Sequence, residues 1–453
     1  MGALVAFAPG CMPRGRRHEF PELARSAGVP TSSQTTKENL AADEASLTTT
    51  VRLDVILRLA LARNADLREE EARVGERLAR IPPSGRLPDL ELKYEQWGVP
   101  LARPYALGDA DTLMLGVRQT FPARGSLAAR ERAAESEAGV ALFSLRARQL
   151  DVVRQVVRTY AALFLAERES QIHLEHVQLT ERMLELLRSN FRTGSATELD
   201  VLRVAVELKG LHRELARIDQ RKRSATALLN ATIARDANAP LGAVADLKPT
   251  EIKVELPALE AMVQSGRAEV VGAGHRVKRA QADVDLASSN ARWPSIMAGV
   301  DYWFMPTLDE RHGYGAMISI NLPWLNAKRR EDVTVAERGV TADRRALEAI
   351  RIAVRYEVDD AFAKYTAARA TYLLTRDELV PTALQSFGAA QAGFAAGRGN
   401  ALGLVDALRS LLQLRLEEVR ELVDLKIAIA DLERAIGVDL EETAIAPSQG
   451  IRP

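Results

Sequence analysis

The sequence predicts a mainly α-helical protein with a small β part, built from two similar halves. Long stretches of helical periodicity fill most of the 453 residues, and only 5% are aromatic, which is typical of long helices packed side by side. Four shorter stretches alternate apolar and polar residues and therefore indicate strands. The segment 191–202 returns as 394–405 with Phe, Gly and Leu in register, which indicates a duplicated half-molecule.

Residues 1–50 are predicted to form an extended leader that contains a signal or lipoprotein segment. Ala8-Pro9-Gly10-Cys11 resembles a lipoprotein cleavage site, so Cys11 is a candidate for lipidation; the alternative is an ordinary unpaired cysteine. Cys11 is the only cysteine, which excludes an internal disulfide framework. Basic and acidic side chains number 61 each, and this balance argues against a nucleic-acid partner.

The first structural repeat is predicted to span residues 51–245. Its elements, in order, are a helix over 53–80, a β-hairpin over 88–121, a long helix over 125–190, a tip at 191–197 and a helix ending near 234. Pro82-Pro83 is expected to end the first helix, and Phe121-Pro122 closes the hairpin.

The second repeat, 257–440, follows a connector at 246–256 and has the same order of elements. These are a helix over 259–291, a β-hairpin over 294–322, a long helix to about 392, a tip at 394–400 and a last helix ending at Gly437. The long helix carries a heptad seam that runs from Ile350 to Leu379, and Pro381 is expected to interrupt it. Residues 441–453 are predicted to form a C-terminal tail.

Both tips have the chemistry of a tight connection between two helices. Gly194 and Gly397 stand where a helix C-terminus requires a left-handed residue, a conformation that strains any other side chain. Thr197 and Asn400 then stand where a side-chain oxygen can cap the helix that follows.

The four predicted strands have one apolar and one polar face each and are long enough to cross a bilayer when tilted. Four strands cannot close a barrel, and lipid does not tolerate an open sheet edge. We therefore predict three chains that share a 12-stranded transmembrane β-barrel, four strands from each chain, continued by a trimeric α-barrel of the helical hairpins.

The segments that open and close the hairpins are Leu87-Pro88, Trp293-Pro294, Gln119-Thr120-Phe121-Pro122 and Asn321-Leu322-Pro323-Trp324. Together with the duplicated halves and the glycine tips, they resemble the TolC family of outer-membrane efflux channels over about Leu53 to Leu440. Leu87-Pro88-Asp89, the Phe121–Gly125 segment and the Tyr302–Pro306 segment are most similar to the heavy-metal efflux branch typified by CzcC and CusC.

The resemblance implies a homotrimer in the outer membrane, with its barrel in lipid and its helical part in the periplasm. It also implies a periplasmic adaptor, or membrane fusion protein, that docks at the tips and connects the channel to an inner-membrane pump. The implied function is a passive exit channel for heavy-metal cations or small toxic compounds, without catalysis and without a cofactor. A duct for type I protein secretion is the first alternative, and a non-channel periplasmic coiled-coil adaptor is the second.

The resemblance also assigns roles to residues at the tips. The positions that would meet the adaptor are Gly194, Leu199, Gly397 and Leu402. The positions that would narrow the pore entrance are Asp200, Phe394 and Asp406. A ring of carboxylates there would favour cations, whereas the alternative for both aspartates is an ordinary solvated face. Gly403 stands where the family can have an acidic residue, and Phe394 where it can have a tyrosine, so gating is expected to differ in detail.

His173 and His176 lie three residues apart on the first long helix, near Glu175, and this spacing can hold a metal. The favoured interpretation is a pair of surface or seam histidines. No nucleophile–base pattern and no paired acids in a cleft-like context occur, so the sequence gives no support for an enzyme.

Overall fold

The computed structural model describes residues 37–99, 101–103, 105, 110–249, 252, 255–306, 311–396, 398, 400–438 and 440. The predictions for Cys11 and Gly397 lie outside these residues. The helices of the described part are α1 (Lys37–Ser46), α2 (Leu53–Arg63), α3 (Ala65–Ser84), α4 (Ser126–Arg192), α5 (Glu198–Thr232), α6 (Leu256–Gly266), α7 (Ala268–Arg292), α8 (Ala327–Leu374), α9 (Val380–Ala395) and α10 (Ala401–Ile436). The strands are β1 (Thr50–Val51), β2 (Glu91–Trp97), β3 (Thr112–Phe121), β4 (Ala243–Val244), β5 (Ile296–Met305) and β6 (Arg311–Ile320).

Two compact units divide the chain. One comprises Glu71–Ser144 and Glu269–Ile350 and contains the larger sheet; the other comprises 37–70, Leu145–Ala268 and 351–440 and contains both tips. Each unit contains segments of both sequence repeats. The reason is that the long helices α4 and α8 each have one part in the first unit and the rest in the second.

The two predicted hairpins join in one antiparallel sheet with the order β2-β3-β5-β6. Val117 pairs with Leu92 on one side and with Val300 on the other, and Val300 pairs with Ala316. Residues that pair across strands lie on the same face of a sheet, so the alternation predicted for each strand is in phase across all four.

The apolar seams of the long helices are buried as predicted. Leu145, Val156 and Tyr160 of α4 are buried, and so are most members of the heptad in α8. Leu379 is an exception, because it is 40% exposed. The chain forms a π-helical turn at Thr375–Leu379, immediately before Pro381, and the wider turn changes the phase of the helix there. Proline lacks the N–H that an α-turn needs, so the helix widens and then continues as α9.

Residues 37–46 form α1, so the prediction of extended chain is wrong for this segment. The charged side chains of α1 explain why this segment is helical and why its helix is not visible in the sequence. Arg58 donates two hydrogen bonds to Asp43, at 3.0 and 2.8 Å, and Arg63 donates one to Glu44 at 2.7 Å. Such long-range pairs hold α1 without the apolar periodicity that reveals a helix in a sequence.

The predicted helix over 259–291 is two helices, because Arg267 has an extended backbone with φ −71° and ψ 118°. Its buried side chain donates hydrogen bonds to the main-chain oxygens of Arg434 and Ala435, and to Glu357 at 2.7 Å. The guanidinium thereby satisfies carbonyls at the C-terminus of α10, where a helix leaves acceptors free. α6 begins at Leu256, within one residue of the predicted end of the connector.

A short parallel pair of strands, β1 and β4, was not predicted at all. The hydroxyl of Tyr160 donates to the main-chain oxygens of Val51, at 3.1 Å, and of Ala245, at 2.9 Å. Burial raises the pKa of this phenol to about 12. Tyr160 therefore fastens the chain before α2 and the chain after α5 to α4.

Candidate functional site: the helical tips and the apolar sheet face

The first tip ends α4 in a hydrogen-bonded turn that requires glycine. Gly194 has φ +76°, in the left-handed region, as predicted. Its N–H donates to the oxygen of Phe191 at 3.1 Å, and the N–H of Ser195 donates to the oxygen of Asn190 at 2.8 Å. These two bonds form a Schellman motif, which reverses the chain and satisfies the last carbonyls of the helix.

The helix that leaves this tip begins with a capping box. Thr197 Oγ1 accepts a hydrogen bond from the N–H of Asp200 at 3.3 Å, and Asp200 Oδ2 accepts one from the N–H of Thr197 at 3.2 Å. The hydroxyl of Thr197 also donates to Asp200 Oδ2 at 2.7 Å. The predicted cap is thus confirmed, and the carboxylate proposed for the gate has a local structural task as well.

The second tip repeats this arrangement in its described residues. The N–H of Arg398 donates to the oxygen of Gly393 at 2.9 Å, which corresponds in position to the Ser195–Asn190 bond. Asn400 Oδ1 then accepts from the N–H of Gly403 at 2.8 Å and caps α10, as predicted. The duplication seen in the sequence therefore holds at the level of individual hydrogen bonds.

A hydrophobic cluster holds the two tips together. Its buried members are Met183, Leu184 and Leu187 of α4, Val204 of α5, and Ala401, Leu404 and Val405 of α10. Phe394 packs against this cluster and is half-buried, so it serves as packing between the tips in this structure. Leu199 and Leu402 are not part of the cluster.

An open groove with a volume of about 430 Å³ lies beside this cluster, between α5 and α10. Its apolar wall is exposed: Leu199 and Leu202 are each 55% accessible, and Leu402 is also exposed. The residues that line it are Leu199, Asp200, Leu202, Arg203, Val206, Ala401, Leu402, Val405 and Arg409. The structure thus brings together the leucines that the sequence predicted from each repeat.

Arg409 on the groove donates from Nε to Glu207 at 2.9 Å, and this pair connects α10 with α5. The hydrogen bond to Glu207 raises the pKa of Arg409. Asp200 lines the same groove, whereas Asp406 lies on the exposed face of α10 outside it. The Glu207–Arg409 pair could not be predicted from the sequence, because its members come from different repeats.

Further along α4 is a buried polar stretch that contains Glu169, His173, His176 and Thr180. The carboxylate of Glu169 accepts two hydrogen bonds from Arg420, at 3.0 and 2.8 Å, and pairs with Arg221 at 3.0 Å. His176 is 1% exposed, and neither of its ring nitrogens has a hydrogen-bond partner. Burial, with a smaller contribution from the nearby Arg415, lowers the pKa of His176 to about 4. Among the residues that the structure describes, no group of three or more side chains is placed to hold a metal ion.

One face of the four-stranded sheet is apolar and exposed. Row by row, it carries Leu92, Val117, Val300 and Ala316, then Tyr94, Leu115, Tyr302 and Tyr314. All of these except Ala316 are large and exposed apolar or aromatic side chains. Towards the helices, the same face continues through Phe121, Ile296 and Ile320.

The opposite face carries charged, polar and small residues together with several methionines and Trp303. Arg118 and Asp301 form an ion pair with 3.6 Å between Nη2 and Oδ1. Each lies across from a glycine of the neighbouring strand, Asp301 from Gly116 and Arg118 from Gly299. A Cβ at either glycine would collide with the opposing side chain, so the two glycines make room for the pair.

No helix in the described part of the chain is both long and apolar enough to cross a membrane. The sequence profile of the outer membrane efflux protein family matches residues 56–234 and 261–438. The chain belongs to this family. Members of this family are outer membrane transport channels and not enzymes. The tips and the sheet described above are therefore parts of a protein of this channel class.

Solved structures of membrane proteins share the fold of this family member. The CusC structure has a TM-score of 0.74 at 18% identity and covers 94% of this chain and 99% of that chain. A membrane protein from Pseudomonas aeruginosa has a TM-score of 0.73 at 20% identity, and the match covers 85% of this chain and 93% of the Pseudomonas chain. The open-state MtrE outer membrane channel of Neisseria gonorrhoeae has a TM-score of 0.70 at 18% identity, with 86% and 89% covered. No curated protein matches the chain in sequence.

Proposed function

We propose that this outer membrane efflux protein is the passive exit channel of a tripartite system, in which a periplasmic adaptor connects it to an inner-membrane pump. One observation supports this proposal above all. The sheet has an exposed apolar face across all four strands, and the outer edges of β2 and β6 have no strand partner in the described part of the chain. Such a sheet needs lipid on its face and other strands at its edges.

A homotrimer meets both needs. Three chains of four strands supply twelve, enough for a closed barrel with a water-filled interior. The opposite face, with the Arg118–Asp301 pair and its glycines, then lines the interior, and the apolar face contacts the outer-membrane lipid. The helical part extends into the periplasm as an α-barrel.

The groove at the tips is the proposed adaptor-docking site. Leu199 and Leu402 offer apolar contacts from both repeats, and Arg409 and Asp200 provide polar groups at its border. A helical hairpin of the adaptor fits a groove of this kind. Gly194 contributes by setting the tight turn of the first tip. Gly397 is the corresponding sequence position in the second repeat, and Asp200, Phe394 and Asp406 form the proposed entrance gate.

We propose heavy-metal cations or small toxic compounds as the exported material. The support is the similarity of Leu87-Pro88-Asp89, the Phe121–Gly125 segment and the Tyr302–Pro306 segment to the heavy-metal branch. Carboxylates at the entrance, from Asp200 and Asp406, would favour cations over anions. Selection of the metal is left to the pump and the adaptor.

The deciding experiment purifies the protein from outer membranes in mild detergent and measures its mass and its conductance in a planar bilayer. A trimer that conducts ions is expected. Val300→Arg places a charge on the apolar face and is expected to prevent stable insertion, at a cost of about 2–4 kcal/mol per chain. Ser319→Arg, on the opposite face of the same sheet, is the matched control and should still insert. A monomer without conductance, or equal insertion of both variants, would contradict the proposal.

Docking at the tips is tested separately. The double variant Leu199→Glu/Leu402→Glu should lose capture of a purified periplasmic adaptor encoded beside the channel, because two charges would enter an apolar contact. Leu228→Glu on α5 is the control, since Leu228 is similarly exposed but does not line the groove. If the adaptor is captured equally by all three proteins, the groove is not the docking site.

A further inference from the structure

One end of the sheet is flanked on three of its strands, β3, β5 and β6, by aromatic and basic side chains. At this end β3 stops at Phe121, β5 starts at Ile296 and β6 stops at Ile320, and these three residues pair across the sheet. Just outside it lie Arg124 after β3 and Trp293 before β5. This is the end of the sheet from which the helices of the same unit continue.

Two arginines share one tryptophan at this end. The guanidinium carbon of Arg124 lies 5.8 Å from the centroid of the Trp293 ring, and that of Arg292 lies 5.6 Å from it. Both arginines are exposed, and neither pairs with a carboxylate in the part of the chain that the structure describes. A cation–π contact attracts each guanidinium to the ring but leaves both charges uncompensated.

A second group of the same kind follows β6. Trp324 is 58% exposed, and Leu325 beside it is exposed as well. Lys328 and Arg330 come next, at the start of α8, with exposed side chains that form no ion pair within the described ranges. Glu331 and Asp332 follow only after them along α8.

We propose that Arg124, Arg292, Trp293, Trp324, Lys328 and Arg330, which we name the basic collar, bind the headgroups of anionic phospholipids in the membrane leaflet next to the helices. The inference rests on the proposed function, because it requires the apolar sheet face to lie in a bilayer. In the chain, the collar residues flank Phe121, Ile296 and Ile320, the residues at the end of that face. Its occupant is therefore a lipid that borders the sheet.

The chemistry of the collar matches a phospholipid headgroup in each part. A tryptophan at the membrane–water boundary places its ring in the apolar layer and its N–H in the polar layer. Guanidinium groups bind phosphate through two parallel hydrogen bonds, so Arg124 and Arg292 can share one or two phosphates beside the ring. A net negative headgroup supplies the counter-charge that the described part of the chain does not give these cations.

The test compares lipid retention in nanodiscs made from phosphatidylcholine and phosphatidylglycerol. The wild-type channel is released and the lipids that stay bound are counted by native mass spectrometry. We expect phosphatidylglycerol to be enriched over its bulk fraction, and Arg124→Gln/Arg292→Gln to reduce this enrichment at least about twofold. The control is Arg338→Gln/Arg351→Gln, which removes two exposed arginines from α8 away from the collar and should leave enrichment unchanged. Arg124→Lys/Arg292→Lys keeps the charge and should retain part of it.

The outcomes separate this inference from the proposed function, because the mass and conductance of each sample are measured as well. In one outcome, wild type, collar variant and control all form conducting trimers that retain the same fraction of phosphatidylglycerol. In that case the collar has no lipid preference, so the inference is wrong while the proposed channel function is supported. If the wild-type channel retains both lipids in their bulk ratio, the inference is wrong, whether or not the collar variant folds. If the wild type fails to insert at all, both proposals are overturned.

Discussion

Acidification is expected to weaken the helical part of the protein through His176. This side chain is buried without a hydrogen-bond partner for either ring nitrogen, and its pKa is lowered to about 4. In the unfolded chain an imidazole titrates near 6.5, so the unfolded state binds more protons in the window between these two values. The free energy of unfolding therefore falls as the pH drops from about 6.5 to about 4, and the loss is complete below that.

The magnitude follows from the two pKa values. The full loss is about 3 kcal/mol per chain, and about 2 kcal/mol of it is already present at pH 5. The groups that face His176 agree in direction: burial has the largest effect, and the positive charges of Arg415 on α10 and of a protonated His173 on α4 add to it. The pKa of His173 is also lowered, mainly by burial, although Glu214 and Glu169 oppose the effect.

The assay is urea-induced loss of the helical circular-dichroism signal at pH 7 and pH 5, in one detergent and at one protein concentration. His176→Leu keeps the volume but cannot be protonated, so it should lose most of the difference between the two pH values. At pH 7 it should be as stable as wild type or more so, because it removes two unsatisfied polar atoms. His212→Leu is the control, since His212 is exposed on α5. An equal pH effect in all three proteins would refute the reasoning.

Three further predictions concern the tips and the sheet. Gly194→Ala should destabilise the tip by about 1 kcal/mol through backbone strain alone, because φ is +76° and open space surrounds the missing Cβ. Hydrogen exchange of the tip amides measures this loss, and unchanged protection would contradict the prediction. Asp200→Ala removes the capping box and should lower the free energy of unfolding by about 1 kcal/mol, whereas Asp406→Ala breaks no hydrogen bond within the described residues. The double variant should raise single-channel conductance and weaken cation selectivity. Recordings identical to wild type would exclude the gate. Gly116→Val should displace Asp301 and cost about 1–3 kcal/mol, seen as a lower temperature of oligomer dissociation on gels; an unchanged temperature would show that the sheet adapts.

The elements that depend on local periodicity could be predicted, and those that depend on distant charges could not. The alternation in β3 and β5 and the glycine at 194 each constrain the chain within a few residues, so their patterns are visible in the sequence. The helix at 37–46 and the division at Arg267 depend on partners far away in the chain, such as Arg58 for the first and Glu357 for the second. No local pattern announces them.

The candidate site divides in the same way. The sequence identified Leu199 and Leu402 as related positions in the two repeats, but only the structure places them on one groove. The family resemblance assigned Asp200 to the gate, which stays a prediction, and the structure adds the capping box that already uses its carboxylate. The basic collar was not predicted, because it depends on no motif. For His173 and His176 the sequence left a surface and a seam position open, and the structure buries both.

By itself, then, the sequence determined the duplicated pattern of long helices and hairpins, the glycine and the cap of the first tip, and the alternation along each strand. Those features arise from interactions between near neighbours, which spacing and residue type record directly. The sequence did not determine where the first helix ends, since Pro82 and Pro83 lie inside α3. Only the tertiary structure decided that β3 pairs with β5, that Glu169 is buried between two arginines, and that two arginines share Trp293. Each of these contacts joins segments that are remote in the chain, and the free energy of burial and charge pairing depends on what lies beside a group in space.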